Sequence, residues 1–160
     1  MKHHIRIATK QDMPAVLELI KELAIFEKEA NAVEVNLRQL QEDGFKDPAA
    51  FVCFIAEVDF KIIGMALVYT RYSTWKGKVL HLEDLIVSEA FRGQNIGSEL
   101  LDQVIYYGAK LGVKRISWEV LDWNSSAIKF YKSRGANILK DWSVVHLDEK
   151  GISNYLIKKG

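Results

Sequence analysis

The stretch Val79-Leu80-His81-Leu82-Glu83-Asp84-Leu85-Ile86-Val87-Ser88-Glu89-Ala90-Phe91-Arg92-Gly93-Gln94-Asn95-Ile96-Gly97-Ser98 decides how the rest of the chain is read. Residues 79–87 have the branched, apolar character of a strand, residues 92–97 form a turn with two glycines, and residues 98–111 carry leucine and isoleucine at amphipathic-helix spacing. Gly112 suits the end of that helix. Downstream, residues 115–121 read as another strand and residues 125–134 as a helix ended by Gly135. Strand, helix, strand and helix in this order predict an α/β architecture with a parallel strand pair at its centre.

Working outward, Ile5-Arg6-Ile7 alternates like a short strand, and Thr9 or Asp12 is a candidate cap for a helix with Pro14 in its first turn. That helix is predicted to run to Glu29, with Val16, Leu17, Ile20, Leu23, Ala24 and Phe26 on its apolar side; a second spans residues 34–43 and ends near Gly44. Residues 51–58 and 61–72 predict a hairpin turning at Asp59-Phe60, and residues 142–147 with 154–158 a final hairpin. The expectation is a mixed central sheet of about six to seven strands flanked by about four helices. No linker, low-complexity tract or repeat interrupts the order, so residues 1–160 read as one domain.

Composition narrows the function. Lysine plus arginine number 22 against 21 aspartate plus glutamate, so no positive excess points to nucleic acid or an anionic membrane. No run approaches the roughly 18 apolar residues of a membrane span, and the N-terminal residues lack a secretory apolar core. Cys53, the sole cysteine, lies in an apolar run and reads as packing; a reducing, cytoplasmic setting and a small-molecule partner are expected. His81 and His146 stand far apart in sequence and read as structural, and no metal site is expected.

The turn from Val87 to Ser98 leads from a strand into a helix N-terminus, where free N–H groups and the helix dipole suit a phosphate or pyrophosphate. Gly93 and Gly97 remove side chains where an anion would approach, Ser98 offers a hydroxyl, and Arg92 offers a fixed charge. An ordinary surface loop is the competing reading. No Gly-Lys-Ser, Gly-Lys-Thr or G-x-G-x-x-G pattern is present, which disfavours nucleoside triphosphates and NAD.

Arg92-Gly93-Gln94-Asn95-Ile96-Gly97 resembles the pyrophosphate loop R-G-x-G-I-G of the GNAT superfamily of N-acetyltransferases, with Asn95 where that family most often has glycine. Asparagine tolerates a left-handed backbone better than most residues, so the loop shape is expected to survive. Asn124-Ser125-Ser126-Ala127-Ile128-Lys129-Phe130-Tyr131-Lys132-Ser133-Arg134-Gly135-Ala136 is similar to a second family element, N-x-x-A-x-x-F-Y-x-x-x-G. Leu82 to Val87 and the first helix extend the likeness over nearly the whole chain. Within the family the chain looks most like the diamine acetyltransferases related to spermidine/spermine acetyltransferase, and Tyr72-Ser73-Thr74-Trp75-Lys76-Gly77-Lys78 with Leu121-Asp122-Trp123-Asn124 like the thialysine subgroup. The spermidine enzymes usually carry aspartate where Ser73 stands, which counts against long polyamines.

The resemblance implies transfer of acetyl from acetyl-CoA to an amine, with coenzyme contacts at Leu85, Ile86, Val87, Arg92, Gly93, Gln94, Asn95, Ile96, Gly97, Ser98 and Asn124. An alkyl ammonium of pKa about 10 must lose a proton before it attacks a thioester. Glu83 is the implied base, Asp84 the substrate contact or a structural partner; alternation along a strand is expected to send the two to opposite faces. Tyr131 is the implied acid for the departing thiolate; from its neighbours Ile128 and Phe130 alone it reads as a core tyrosine. Glu27, Trp75 and Trp142 match positions that hold the amine in relatives, and Glu119 joins them as a candidate. Each has an ordinary surface or packing role as its alternative. A homodimer is implied. A protein N-terminal or lysine acetyltransferase, or an acyl-CoA sensor without chemistry, are the competing functions.

Overall fold

The computed structural model describes residues 2–159 and divides into two compact units, one up to Glu119 and one from Val120. In the first unit five strands lie in sequence order: β1 (His4–Ile7), β2 (Val52–Val58), β3 (Lys61–Ser73), β4 (Gly77–Val87) and β5 (Ile116–Ser117). The first four are antiparallel neighbours, and β5 joins β4 in parallel. This is the mixed α/β sheet that the sequence predicts, with five strands among the described residues in place of six or seven. Residues 118–121 are predicted as strand yet lie outside β5.

Period-two alternation gives the sheet two apolar faces. Cys53, Ile55, Met65, Leu67 and Ile86 face α1 (Met13–Phe26), whose Met13, Val16 and Leu19 complete that core, with Leu40 of α2 (Leu37–Phe45). Phe54 lies on the opposite face, its ring edge-on to Tyr107 of α3 (Ile96–Lys110), and Leu100 of α3 lies beside Gly64. Helix α2 starts at Leu37, later than predicted, because Asn36 caps it reciprocally: its Oδ1 accepts from Gln39 N and Gln39 Oε1 accepts from Asn36 N, both at 3.0 Å. Gly44 stays inside α2, where an added Cβ would stand 2.6 Å from the Phe51 ring. At the first helix, Asp12 accepts from the N–H and hydroxyl of Thr9 and also pairs with Arg6, which binds Glu57 of β2. The β2–β3 turn uses Asp59 and Phe60, as predicted, with φ of 47° and 63°. Two left-handed residues between paired positions fit the right-handed twist of a hairpin.

The second unit holds α4 (Ser125–Ser133) and α5 (Glu149–Lys159). Helix α4 ends as predicted at Gly135, which takes a φ of 83° while Ala136 N–H reaches back to Tyr131 O. The final hairpin is not formed: residues 142–147 have no regular structure, and residues 154–158 lie in α5. Local helix signals explain this. Asp148 Oδ1 accepts from Gly151 N at 2.7 Å, Glu149 stands in the first turn, Lys158 and Lys159 in the last, and the charges complement the helix dipole. Among the described residues no helix is long and apolar enough to cross a membrane.

Candidate active site

The ladder between β3 and β4 contains one irregularity. Leu67 pairs with Asp84 and Val68 with Leu82, so β4 spends one residue more than β3, and that residue is Glu83. A bulge of this kind leaves the extra residue unpaired and re-aims side chains next to it. Asp84 faces the α1 core with its partner Leu67, while Glu83 reaches Tyr69 and His81, the paired residues next along the same face. The expectation that strand alternation sends Glu83 and Asp84 to opposite faces is therefore corrected: the bulge brings both carboxylates to one face.

Their electrostatics follow from crowding. Burial first, then the charges of Glu83 and Glu27, push the Asp84 carboxyl up to about 6. Glu27 caps the C-terminus of α1, its N–H bonded to Leu23 O, and burial raises its carboxyl as well. Three carboxyl groups thus share one electrostatic neighbourhood, which favours a cation. Glu83 accepts from the Tyr69 hydroxyl, and its Oε2 stands 3.6 Å from His81 Nε2. Tyr69 and His81 were not singled out by the sequence as site residues, because their link to Glu83 depends on the bulge. Glu119 acts on this group through its charge. Cys53 is packing, as its sequence context indicates, with its thiol pushed up to about 12 by burial ahead of the charges of Asp84 and Asp12. Among the described residues no group of three His, Cys, Asp or Glu side chains is arranged to hold a metal ion.

The glycine turn has the predicted backbone. Asn95 adopts φ 66°, ψ 0°, the left-handed state expected of it, and Gly93 has a φ of 77°. The Asn95 side chain makes no capping bond to α3, so it does not occupy the N–H groups of that first turn. No atom lies within 4 Å of a Cβ built on Gly93, and Gly97 approaches only Val87. This open, donor-rich cradle fits an anion. Ile96 and Ser98 are buried and anchor the turn, while Gln94 is exposed. Arg92 donates from Nε to Val87 O at 2.9 Å and lies over the Phe26 ring. Glu22 of α1 ties down the approach by accepting from Ser88 Oγ at 2.7 Å and Glu89 N at 3.0 Å, a role without a sequence signal. Pairing between β4 and β5 stops at His81 and Ser117, so Leu85, Ile86 and Val87 pair only with β3.

Trp75 lies in the β3–β4 turn and is 78% exposed. Ser73 shapes that turn, its Oγ accepting from Trp75 N and Lys76 N at 3.3 Å. In the second unit, Asn124 caps α4 by accepting from Ala127 N at 3.2 Å, and Tyr131 is 8% exposed with its phenol raised by burial. Trp142 is 71% exposed in the irregular segment.

The bulged carboxylate strand β4 runs into the glycine turn and α3, and comparison with known proteins identifies the class. The acetyltransferase (GNAT) family model matches residues 14–136, and the chain belongs to that family. It is an acetyl-transfer enzyme. It is 36% identical to the thialysine N-epsilon-acetyltransferase of Bos taurus over 145 residues, covering 86% of this chain and 85% of that protein. It is 38% identical to the spermidine/spermine N(1)-acetyltransferase-like protein 1 of Homo sapiens over 150 residues, 89% of this chain, yet spans only 22% of that protein's length. An integron cassette protein from the mobile metagenome of V. cholerae shares the fold, with a TM-score of 0.80, 21% identity and 98% of each chain covered.

Proposed function

We propose that residues 1–160 act as one N-acetyltransferase domain that moves acetyl from acetyl-CoA directly to a primary amine of a small cationic substrate, a lysine-like amino acid such as thialysine or a short diamine. The observation that carries this reading is the bulge at Glu83, which turns two adjacent carboxylates to the face where Glu27 already contributes a third. The names of the two relatives support an amine acceptor of this kind.

In this reading the turn formed by Arg92, Gly93, Gln94, Asn95, Ile96, Gly97 and Ser98 holds the pyrophosphate through N–H groups and one guanidinium. The backbone of Leu85, Ile86 and Val87 takes the pantetheine as an added strand would, with Asn124 contributing to the coenzyme site. Bound acetyl-CoA supplies the activated acyl group. Asp84 and Glu27 seat the ammonium, and Trp75 and Glu119 complete the amine site through an aromatic face and charge; Trp142 is a candidate amine contact by resemblance alone. Glu83 removes the proton from the attacking nitrogen, and Tyr131 returns one to the sulfur. The enzyme works as a cytoplasmic homodimer; the exposed Val144, Val145, Leu147, Ile152, Leu156 and Ile157 are apolar surface of the kind that partners cover.

A coenzyme A release assay across thialysine, lysine, short diamines, spermidine and aminoglycosides at pH 7 to 9 tests the proposal. Preferred turnover of thialysine or a short diamine is expected. Tight acetyl-CoA binding with no turnover of any small amine would overturn it in favour of a protein acceptor or a sensor.

The raised Asp84 carboxyl adds a pH signature. Its folded value of about 6 lies above the ordinary 3.8, so folding favours the protonated form, and stability falls as pH rises through that window. Asp84→Asn is therefore expected to stabilise the protein at pH 7 by roughly 1–3 kcal/mol in urea unfolding. The same substitution should raise the KM for the amine about tenfold or more by removing one charge from the cation seat. In the wild type, amine affinity should rise between pH 5 and 7 as Asp84 ionises. A D84N protein with unchanged stability and KM would contradict this assignment.

A further inference from the structure

His81 is buried, only 6% exposed, beside a carboxylate that reaches water. It pairs with Tyr69 across β3–β4 and with Ser117 across β4–β5. Its two ring nitrogens meet different neighbours: Nδ1 stands 3.3 Å from Ser117 Oγ, and Nε2 stands 3.6 Å from Glu83 Oε2. The Tyr69 ring lies 5.1 Å from the imidazole, tilted by 49°, and the Tyr69 hydroxyl donates to Glu83. The Nε2 neighbour is the candidate base itself, and that carboxylate is half exposed while the ring is buried.

We infer that His81 receives the proton that Glu83 takes from the amine, so that carboxylate and imidazole form a two-stage exit for that proton. The inference rests on the reading of Glu83 as the base. In the first stage an N–H bond of the substrate ammonium breaks and an O–H bond forms on Glu83, leaving the nitrogen lone pair free to attack. In the second stage that O–H bond breaks and an N–H bond forms at His81 Nε2, which restores the carboxylate and leaves an imidazolium beside it. The exit requires the tautomer with its hydrogen on Nδ1, donating to Ser117 Oγ and leaving Nε2 free to accept. After the acetylated product leaves, the proton returns to water through half-exposed Glu83. The direction follows from the contact: once the proton sits on Nε2, the restored Glu83 carboxylate 3.6 Å away stabilises the imidazolium.

The charged and titratable groups around the ring are Glu83 on its own strand, Tyr69 and Arg71 on β3, and Glu119 beyond β5. Burial is the largest influence and keeps the imidazole below its usual range; Arg71 acts the same way, while Glu83 and Glu119 oppose it. The ring is therefore neutral at pH 7 to 8 and ready to accept.

Two measurements test the exit. In NMR titration of the His81 ring, identified by its disappearance in His81→Gln, Glu83→Gln is expected to lower the imidazole pKa by about half a unit or more, since a facing carboxylate stabilises the imidazolium. An unchanged value would overturn the proposal, and this readout needs no turnover. In steady-state kinetics, His81→Gln is expected to lower kcat about 10- to 100-fold at pH 7. It should also remove the acidic limb of kcat, while the limb that Asp84 gives to amine affinity stays and acetyl-CoA Kd is unchanged. A His81→Gln enzyme with the wild-type rate and pH profile, beside an inactive Glu83→Gln enzyme, would overturn the exit and leave the base standing. An active Glu83→Gln enzyme would overturn both.

Discussion

Glu83→Gln is expected to lower kcat for amine acetylation by about 10²- to 10⁴-fold, the usual contribution of a general base. The substitution keeps the side chain's size and leaves an oxygen to accept from Tyr69, and the Glu83 side chain is half exposed, so folding should not suffer. What is lost is the proposed proton acceptor. Because an alkyl amine deprotonates itself near pH 10, the variant should recover with rising pH, its kcat/KM climbing about tenfold per unit toward that value. Acetyl-CoA affinity, which the proposed coenzyme site at the Arg92–Ser98 turn would set, should stay within about twofold, below the tenfold that 1.4 kcal/mol would produce. Rates from pH 6.5 to 10 with calorimetric coenzyme binding separate these effects. Wild-type kcat at neutral pH would remove Glu83 from the mechanism.

Tyr131→Phe is the second large effect expected, a fall in kcat of about 10²-fold or more with coenzyme affinity retained. Phenylalanine keeps the ring that packs beside Phe130 at 5.3 Å and removes only the hydroxyl. Burial raises the Tyr131 phenol above its ordinary value of 10, so the group stays protonated through the working range and no alkaline loss of activity should come from it below that point. The same shift makes donation to a thiolate, whose conjugate acid lies at about 8.5, uphill, so the transfer must accompany C–S cleavage. A full-length pH profile and coenzyme binding on the variant check this. Unchanged kcat would leave Tyr131 as the buried helix residue that its neighbours Ile128 and Phe130 suggest.

The two carboxylates show where sequence reading stops. Glu83 and Asp84 were both legible as candidates, but alternation predicted that only one would serve the cleft. Register is a property of two strands together, and the extra residue of β4 exists only relative to β3, so no pattern within β4 announces it. The pairing of His81 with Glu83 and of Tyr69 with both follows from that register and was equally hidden. Glu22, which anchors the approach to the glycine turn from α1, depends on a contact across 66 residues of sequence.

Local chemistry by itself determined the helix start at Met13 to within a few residues, the Asp59-Phe60 turn, the left-handed Asn95 in the glycine turn and the glycine end of α4, because each is set by dihedral preference and hydrogen bonds within a few residues. It also misled at the C-terminus. Apolar residues at 154–158 resemble a strand, yet Asp148 and the terminal charges make a helix, and a strand without a pairing partner has no ladder to hold it. Tertiary structure alone decided the bulge, the shared face of Glu83 and Asp84, and the raised Asp84 carboxyl, since burial and charge crowding arise only when distant segments meet.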